Sequence, residues 1–337
     1  MKIIKFSLFF LLLFNTNCKV ITIQTDFLPL KIHAHNDYIY DSCFYSNDKY
    51  AISISNDTYL KIWEFKSIPT KSKQFIPYKT ICFPDMGLRK IAVFSEHFIL
   101  IGNNLGNVYF YDLNKEIIID QYDGPNVPVS ALTITHDNKL IGMAFNNGQI
   151  LVLNKKKEKL FELDLEINSK ISPIIAFCPD NRFVAISHGY QVKIFKIDNW
   201  SEIISFAISD STFGVHSMIF TSDGSYLLTG AHIEACLWNF IDGKLIRRFH
   251  GHFGKISSIA VSTNNKMIAT GGGLRYFDST IKLWNFDTSK EICELTFHEM
   301  PISAVHFSMD NRFLLSSSFD ETIVLTDIEQ LTNAIGN

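Results

Sequence analysis

His252-x3-Ile256, Ile259-Ala260-Val261-Ser262, Ile268-Ala269-Thr270 and Asp278-Ser279-Thr280-Ile281-Lys282-Leu283-Trp284 run in a fixed order. A His opens the unit, two apolar strands follow, the second ends in a hydroxyl, and a turn carrying Asp leads to a third strand ending in an aromatic. The order recurs from His35, through Phe44–Tyr50, Ser53-x3-Asp57 and Leu60-Lys61-Ile62-Trp63, and from His298, through Val305–Asp310, Ser316-x3-Asp320 and Thr322–Asp327. Partial copies keep Phe220-Thr221-Ser222-Asp223-Gly224 with Leu237-Trp238-Asn239, and Phe177-Cys178-Pro179-Asp180 with Val192-Lys193-Ile194-Phe195. Two worn copies end in Tyr111-Asp112 and Leu153-Asn154. The third-strand ends are therefore Trp63, Tyr111, Leu153, Phe195, Trp238, Trp284 and Thr326, spaced 42 to 48 residues apart. That period fits one four-stranded module per copy. No helical periodicity of comparable length separates the strands, which excludes a βαβ architecture.

Composition agrees with a large β core. Apolar residues make up 47% of the 337 positions and charged residues 19%, and there are 29 Phe, 12 Tyr and 4 Trp. Such a chain has ample material to bury and is not intrinsically disordered. The net charge of −3 leaves no electrostatic footprint for nucleic acid.

The repeats resemble those of the WD-repeat β-propeller family over residues about 28–327. The resemblance implies an all-β, seven-bladed β-propeller of four-stranded antiparallel blades, spanning 22–327, with a tail at 328–337. A sheet of four strands cannot bury both faces alone, whereas blades stacked in a closed ring can. Closure needs one composite blade. Leu28–Ile32 precedes His35 as Lys244–Phe249 precedes His252, so Phe27–Ile32 is expected to complete the blade whose other strands come from the last copy. Pro29 suits such an outer edge strand.

The resemblance also implies a structural role for the repeated polar residues, in which Asp accepts from His, His bonds the hydroxyl and the hydroxyl bonds the indole N–H. The first copy offers His35, Ser53, Asp57 and Trp63, the sixth His252, Thr270, Asp278 and Trp284, and the seventh His298, Ser316 and Asp320, with Thr326 in place of the Trp. The competing reading is a hydrolase triad, which would need one such set in a cleft rather than three at the blade period. His33-Ala34-His35 and His250-Gly251-His252 have the spacing of metal pairs on a strand, but the second His of each already belongs to a chain. No GxSxG, P-loop or dinucleotide fingerprint occurs, and no catalytic residue, metal or cofactor is expected. Lys155-Lys156-Lys157-Glu158-Lys159 reads as a solvated turn, with a membrane headgroup contact as the alternative. Cys43, Cys82, Cys178, Cys236 and Cys293 lack zinc spacing and read as buried, inert thiols.

Binding is expected on the rim formed by the loops before the first strand and between the second and third, with protein partners. The candidates are Arg275, Tyr276 and Phe277, in the Gly271–Phe277 loop of the sixth copy, together with Tyr38, Arg89, His188, Tyr190, His232 and Phe319. The reading is a non-catalytic interaction scaffold. The rivals are a propeller enzyme, hydrolase or oxidoreductase, and a cytosolic scaffold.

Residues 1–18 read as an address. Lys2 and Lys5 precede the apolar run Phe6–Phe14, which is too short to span a membrane. With Cys18 at its end, the segment resembles a bacterial lipoprotein signal, departing from it at Asn15 and Asn17. This implies export to a bacterial cell envelope and a membrane tether through lipidated Cys18 alone, with simple secretion to the periplasm or cytoplasmic retention as alternatives.

Overall fold

A computed structural model of the chain describes residues 29–65, 76–84, 86–165, 171–208, 214–273 and 278–336. Among these, 28 strands form seven four-stranded antiparallel sheets. In six sheets the strands follow chain order from inside to outside. The inner strands are Ile39–Tyr45, Leu88–Val93, Val129–Ile134, Ile174–Phe177, Ser217–Phe220, Ile256–Val261 and Ile302–Phe307, heading blades 1 to 7. Each packs against the next around the circle, and the seventh packs against the first. The molecule is a closed seven-bladed propeller.

Blade 7 is composite, as its sequence suggests. Leu30–His33 is its outer strand, pairing antiparallel with Thr322–Asp327 in the register Leu30↔Leu325 to His33↔Thr322. Pro29 lies just before the first paired residue, and Phe27 and Leu28 fall outside the described residues. Side-chain contacts between blades 7 and 1 seal the same junction, where Ser42 Oγ donates to Ser317 Oγ at 2.9 Å and the Met309 amide donates to Asp48.

Local sequence explains the recurring geometry. Four of the turns between inner and second strands place a hydroxyl two residues before Asp or Asn: Thr135/Asp137, Thr221/Asp223, Ser262/Asn264 and Ser308/Asp310. The hydroxyl donates to that side chain at 2.6–2.8 Å. The next residue takes a left-handed conformation, with φ of 57° at Asn138, 68° at Gly224, 51° at Asn265 and 61° at Asn311. Asn and Gly tolerate that region best. All seven third-strand end residues are buried and penultimate in their strands. In blades 2 to 6 the outer strand bulges against that position, for example between Leu283 and Trp284.

Near the axis the blades converge, and second strands use glycine where the next inner strand presses in. A Cβ on Gly102 would lie 2.9 Å from Val129 Cβ, and one on Gly271 would lie 2.5 Å from Ile302 Cγ2. Neither position has room for a side chain.

One sequence expectation needs correction. Cys82 is exposed at the end of an outer strand, unlike Cys178 and Cys236, which are buried. Burial pushes the Cys178, Cys236 and Cys293 thiols up to about 12 and raises that of Cys43. The tail at 328–337 holds a helix, Ile328–Gly336. Asp327 caps it by accepting from the Gln330 amide at 3.0 Å, and Ile328 and Leu331 bury against blades 6 and 7. Among the described residues no helix is long and apolar enough to cross a membrane.

Ile32 tests the closing strand, because its side chain is 5% exposed and packs beside Ile39, Trp63 and Leu325. Ile32→Ala is expected to cost about 2–5 kcal/mol in urea unfolding. The exposed outer-strand change Ile118→Ala should cost a small fraction of that.

Candidate functional site

Two constellations have the chemistry to act. The first is the repeated Asp–His–hydroxyl set. In blade 1, His35 Nδ1 lies 3.0 Å from both Asp57 oxygens, His35 Nε2 2.8 Å from Ser53 Oγ, and Trp63 Nε1 donates to Ser53 Oγ at 2.9 Å. In blade 6, His252 Nδ1 is 2.8 Å from Asp278, Nε2 is 2.7 Å from Thr270 Oγ1, and Trp284 Nε1 donates to Thr270 at 2.8 Å. In blade 7, His298 bridges Asp320, at 3.1 and 3.2 Å, and Ser316, at 2.9 Å. Thr326 holds the Trp place there, and Ser316 Oγ lies 3.5 Å from the Val324 carbonyl. Blade 5 keeps the outer link, with Trp238 Nε1 donating to Thr229 Oγ1 at 2.9 Å.

Burial lowers the His35 imidazole below its usual pKa despite Asp57, so it is neutral at pH 7. One neutral tautomer then satisfies every atom. Nδ1–H donates to Asp57, Nε2 accepts from the Ser53 hydroxyl, and Ser53 accepts from Trp63. Ser53 is 0% exposed and Thr270 0%, and each already bonds both His and Trp, so neither oxygen can reach a substrate. The order of groups matches a hydrolytic triad, but the nucleophile position is closed. Burial alone would raise the Asp57 and Asp278 carboxyls; hydrogen bonds from the His and from backbone amides outweigh it and hold both down at about 2. Asp320 is held low in the same way.

The other His of each suspected metal pair points elsewhere. His33 lies 3.8 Å from Glu321 and His250 3.9 Å from Glu234, both with exposed rings. Among the described residues no group of three or more His, Cys, Asp or Glu is gathered for a metal ion. The lysine run is less free than its sequence suggests, since Lys157 Nζ is 2.6 Å from Asp120 and Lys155 stands 5.1 Å from the Phe94 ring centroid.

The second constellation is the mouth of the central channel on the rim face. It holds a cavity of about 370 Å³ with at least one lining residue from each blade: Tyr40, Arg89, Ser130, Ser172, His216, Ser257 and Phe319. Its construction is regular. In five blades the inner strand bulges after its first residue, between Ile39 and Asp41, Leu88 and Lys90, Val129 and Ala131, Ile256 and Ser258, and Ile302 and Ala304. The skipped residues are Tyr40, Arg89, Ser130, Ser257 and Ser303, and all five line the cavity. A bulge re-aims a side chain that would otherwise sit between blades. Side chains of neighbouring blades also satisfy amides on the unpaired inner edge, as Asp41 does for Ile91 at 3.2 Å and Ser258 for Val305 at 3.0 Å.

The mouth is cationic. The Arg89 guanidinium lies 3.9 Å from the Tyr40 ring centroid, and Lys90 and Lys255 also line the cavity. Burial, with Lys255 and His232 beside it, pushes the His216 imidazole down to about 4. At the far end of the inner strands a separate cavity of about 420 Å³ is lined by Asp48 and Glu96, along with Cys43 and His306.

The structure sorts the sequence candidates. Arg89 and Phe319 line the mouth, Tyr38 stacks on Phe319 with ring centroids 5.2 Å apart, and His232 neighbours His216. His188 ends the second strand of blade 4 and the exposed Tyr190 sits in the turn after it, and neither lines the mouth. Arg275, Tyr276 and Phe277 lie outside the described residues. Sequence reasoning missed Tyr40, His216 and Lys255. The available signal was position, since Tyr40 and Arg89 are each the second residue of an inner strand.

Three segments, 28–64, 243–285 and 289–327, match WD40, described as WD domain, G-beta repeat. They hold the three copies with an Asp–His–hydroxyl set, so the chain carries WD40 repeats within its seven-bladed ring. Periodic tryptophan protein 2 of Saccharomyces cerevisiae is 22% identical over 320 residues, covering 88% of this chain and 34% of that protein. Its Arabidopsis thaliana namesake is 26% identical over 148 residues, 43% of this chain and 16% of that protein. COMPASS component SWD3 of Saccharomyces cerevisiae is 25% identical over 173 residues, 48% of this chain and 53% of that protein. The matched part thus spans about a third or less of the periodic tryptophan proteins.

Asp278→Ala leaves the Nδ1 side of buried His252 without its partner and is expected to lower stability at pH 7 by about 1–3 kcal/mol. The carboxyl is lower in the folded protein than its ordinary 3.8, so its contribution is complete above that pH and disappears as pH falls through about 2. Urea unfolding should therefore show the gap between the two proteins narrowing over that acid range. An unchanged melt at pH 7 contradicts the assignment.

Proposed function

We propose that this chain is a non-catalytic platform for protein–protein interaction, exported and tethered at a membrane surface through its N-terminus. The carrying observation is the channel mouth, where bulges in five blades turn side chains into one shared cavity on a rigid rim. Rigid scaffolds that present a composite surface suit recognition. The groups with catalytic order, Asp57–His35–Ser53 and its counterparts, are buried and engaged. The relative SWD3 is by name a component of COMPASS, which accords with a part in an assembly. The N-terminal residues Lys2, Lys5, Phe6–Phe14 and Cys18 support the address.

The test is affinity capture from the membrane fraction of the source cells. Full-length chain should capture a defined protein set. Tyr38→Ala with Phe319→Ala, or Arg275→Ala with Tyr276→Ala, should lose that set with an unchanged melt. Cys18→Ala should move the chain out of the membrane fraction and abolish labelling by a palmitate analogue. Capture indifferent to both rim pairs overturns the site, and turnover in a hydrolase panel overturns the non-catalytic reading.

A further inference from the structure

We propose that the channel mouth takes an acidic side chain from an extended segment of a protein partner, with the carboxylate seated on Arg89 and Lys255 at the rim. This deepens the platform reading and rests on it.

Three observations converge on that chemistry. Arg89 is left unsatisfied: its Nε is buried and meets no hydrogen-bond acceptor among the described residues. A buried donor of a charged group normally has a partner, because leaving it unmet is costly. Next, no carboxylate is among the described residues lining the cavity, and neither Arg89 nor Lys255 makes an ion pair with any of them. Lys90 is different, being 3.9 Å from Asp41 beneath it. The uncommitted cations are therefore Arg89, half-buried, and Lys255, exposed. Finally, the guanidinium is held in place. The Tyr40 ring faces it at 3.9 Å, and Tyr40 in turn packs edge-on to Phe319 at 5.5 Å. A stacked Arg keeps its planar fork ready for bidentate binding and loses little entropy on engagement.

Size and surroundings narrow the ligand. About 370 Å³ admits a few side chains and excludes a folded domain. The aromatic pair Tyr38 and Phe319, stacked beside the opening, offers apolar area to residues flanking the acid. His216 is uncharged at pH 7, since burial and Lys255 push it to about 4, so it offers a hydrogen bond rather than a third charge. The planar guanidinium fork matches the two oxygens of a carboxylate, and the rim ammonium adds attraction at the opening.

The probes are immobilised dodecapeptide libraries randomised over Asp, Glu, Phe, Leu, Gly and Ser, with three counterparts. One replaces the acids by Asn and Gln, one by Lys and Arg, and one by phosphoserine. The acidic library should retain the full-length chain at least roughly tenfold more tightly than the amide library, as expected for a lost charge-assisted pair. Arg89→Gln should remove that preference. Lys255→Gln, at an exposed position, should weaken it several-fold and flatten its salt dependence, which keeps the test decisive if Arg89→Gln does not fold. Equal retention on the amide library, preference surviving in Arg89→Gln, or tighter retention on the basic or phosphoserine library overturns the proposal. If no library binds while protein capture through Tyr38 and Phe319 persists, the acidic ligand is wrong and the platform stands. If both fail, the platform reading falls as well.

Discussion

The structure depends on ring closure. A blade of four short strands exposes two apolar faces, and each is buried only because another blade lies against it. The chain meets this constraint by bringing Leu30–His33 to the outside of a blade whose other strands come from residues 302–327. Backbone pairing at the outer edge and the Ser42–Ser317 contact near the axis fasten the ends of the ring at two radii. Because blades taper towards the axis, second-strand positions facing the next blade shrink to Gly102 and Gly271, while the third strands afford burial for Trp63, Tyr111 and Trp284.

The buried polar chains serve the rim as much as the core. Each Asp–His bond ties the loop before an inner strand to the turn between second and third strands of the same blade. His35 to Asp57, His252 to Asp278 and His298 to Asp320 all do this. The Asp also accepts from the backbone of the loop, as Asp57 does from Asn36 and Asp320 from Glu299, both at 3.0 Å. The three pinned blades are 6, 7 and 1, consecutive around the circle. They contribute Lys255, Phe319, Tyr38 and Tyr40 to the mouth region, so most of the proposed surface stands on pinned loops.

Much of the fold was written in the period. Seven end residues at blade spacing located every third strand, because a penultimate buried position tolerates only residues that fill it. Even Thr326, which lacks an aromatic ring, sits where the spacing put it. The helix at 328–336 escaped because nine residues give little periodicity, although the Asp327 cap was there to be read. The mouth was only half legible. Arg89 and Phe319 are legible as rim residues, but the Arg89–Tyr40 contact joins positions 49 residues apart and depends on bulges in both strands. A bulge is a register event with no residue signature of its own, so Tyr40 reads as one more strand aromatic until the pairing is known.

Hydrogen exchange tests closure most directly. Amide protection would be compared between the full chain and one lacking residues 1–33. The account predicts lost protection in Thr322–Asp327, which pairs with the missing strand, spreading to Phe313–Ser318 and to the facing strand Ile39–Tyr45 of blade 1. Unchanged protection in all three would show that the ring does not rely on its composite blade and would contradict the account.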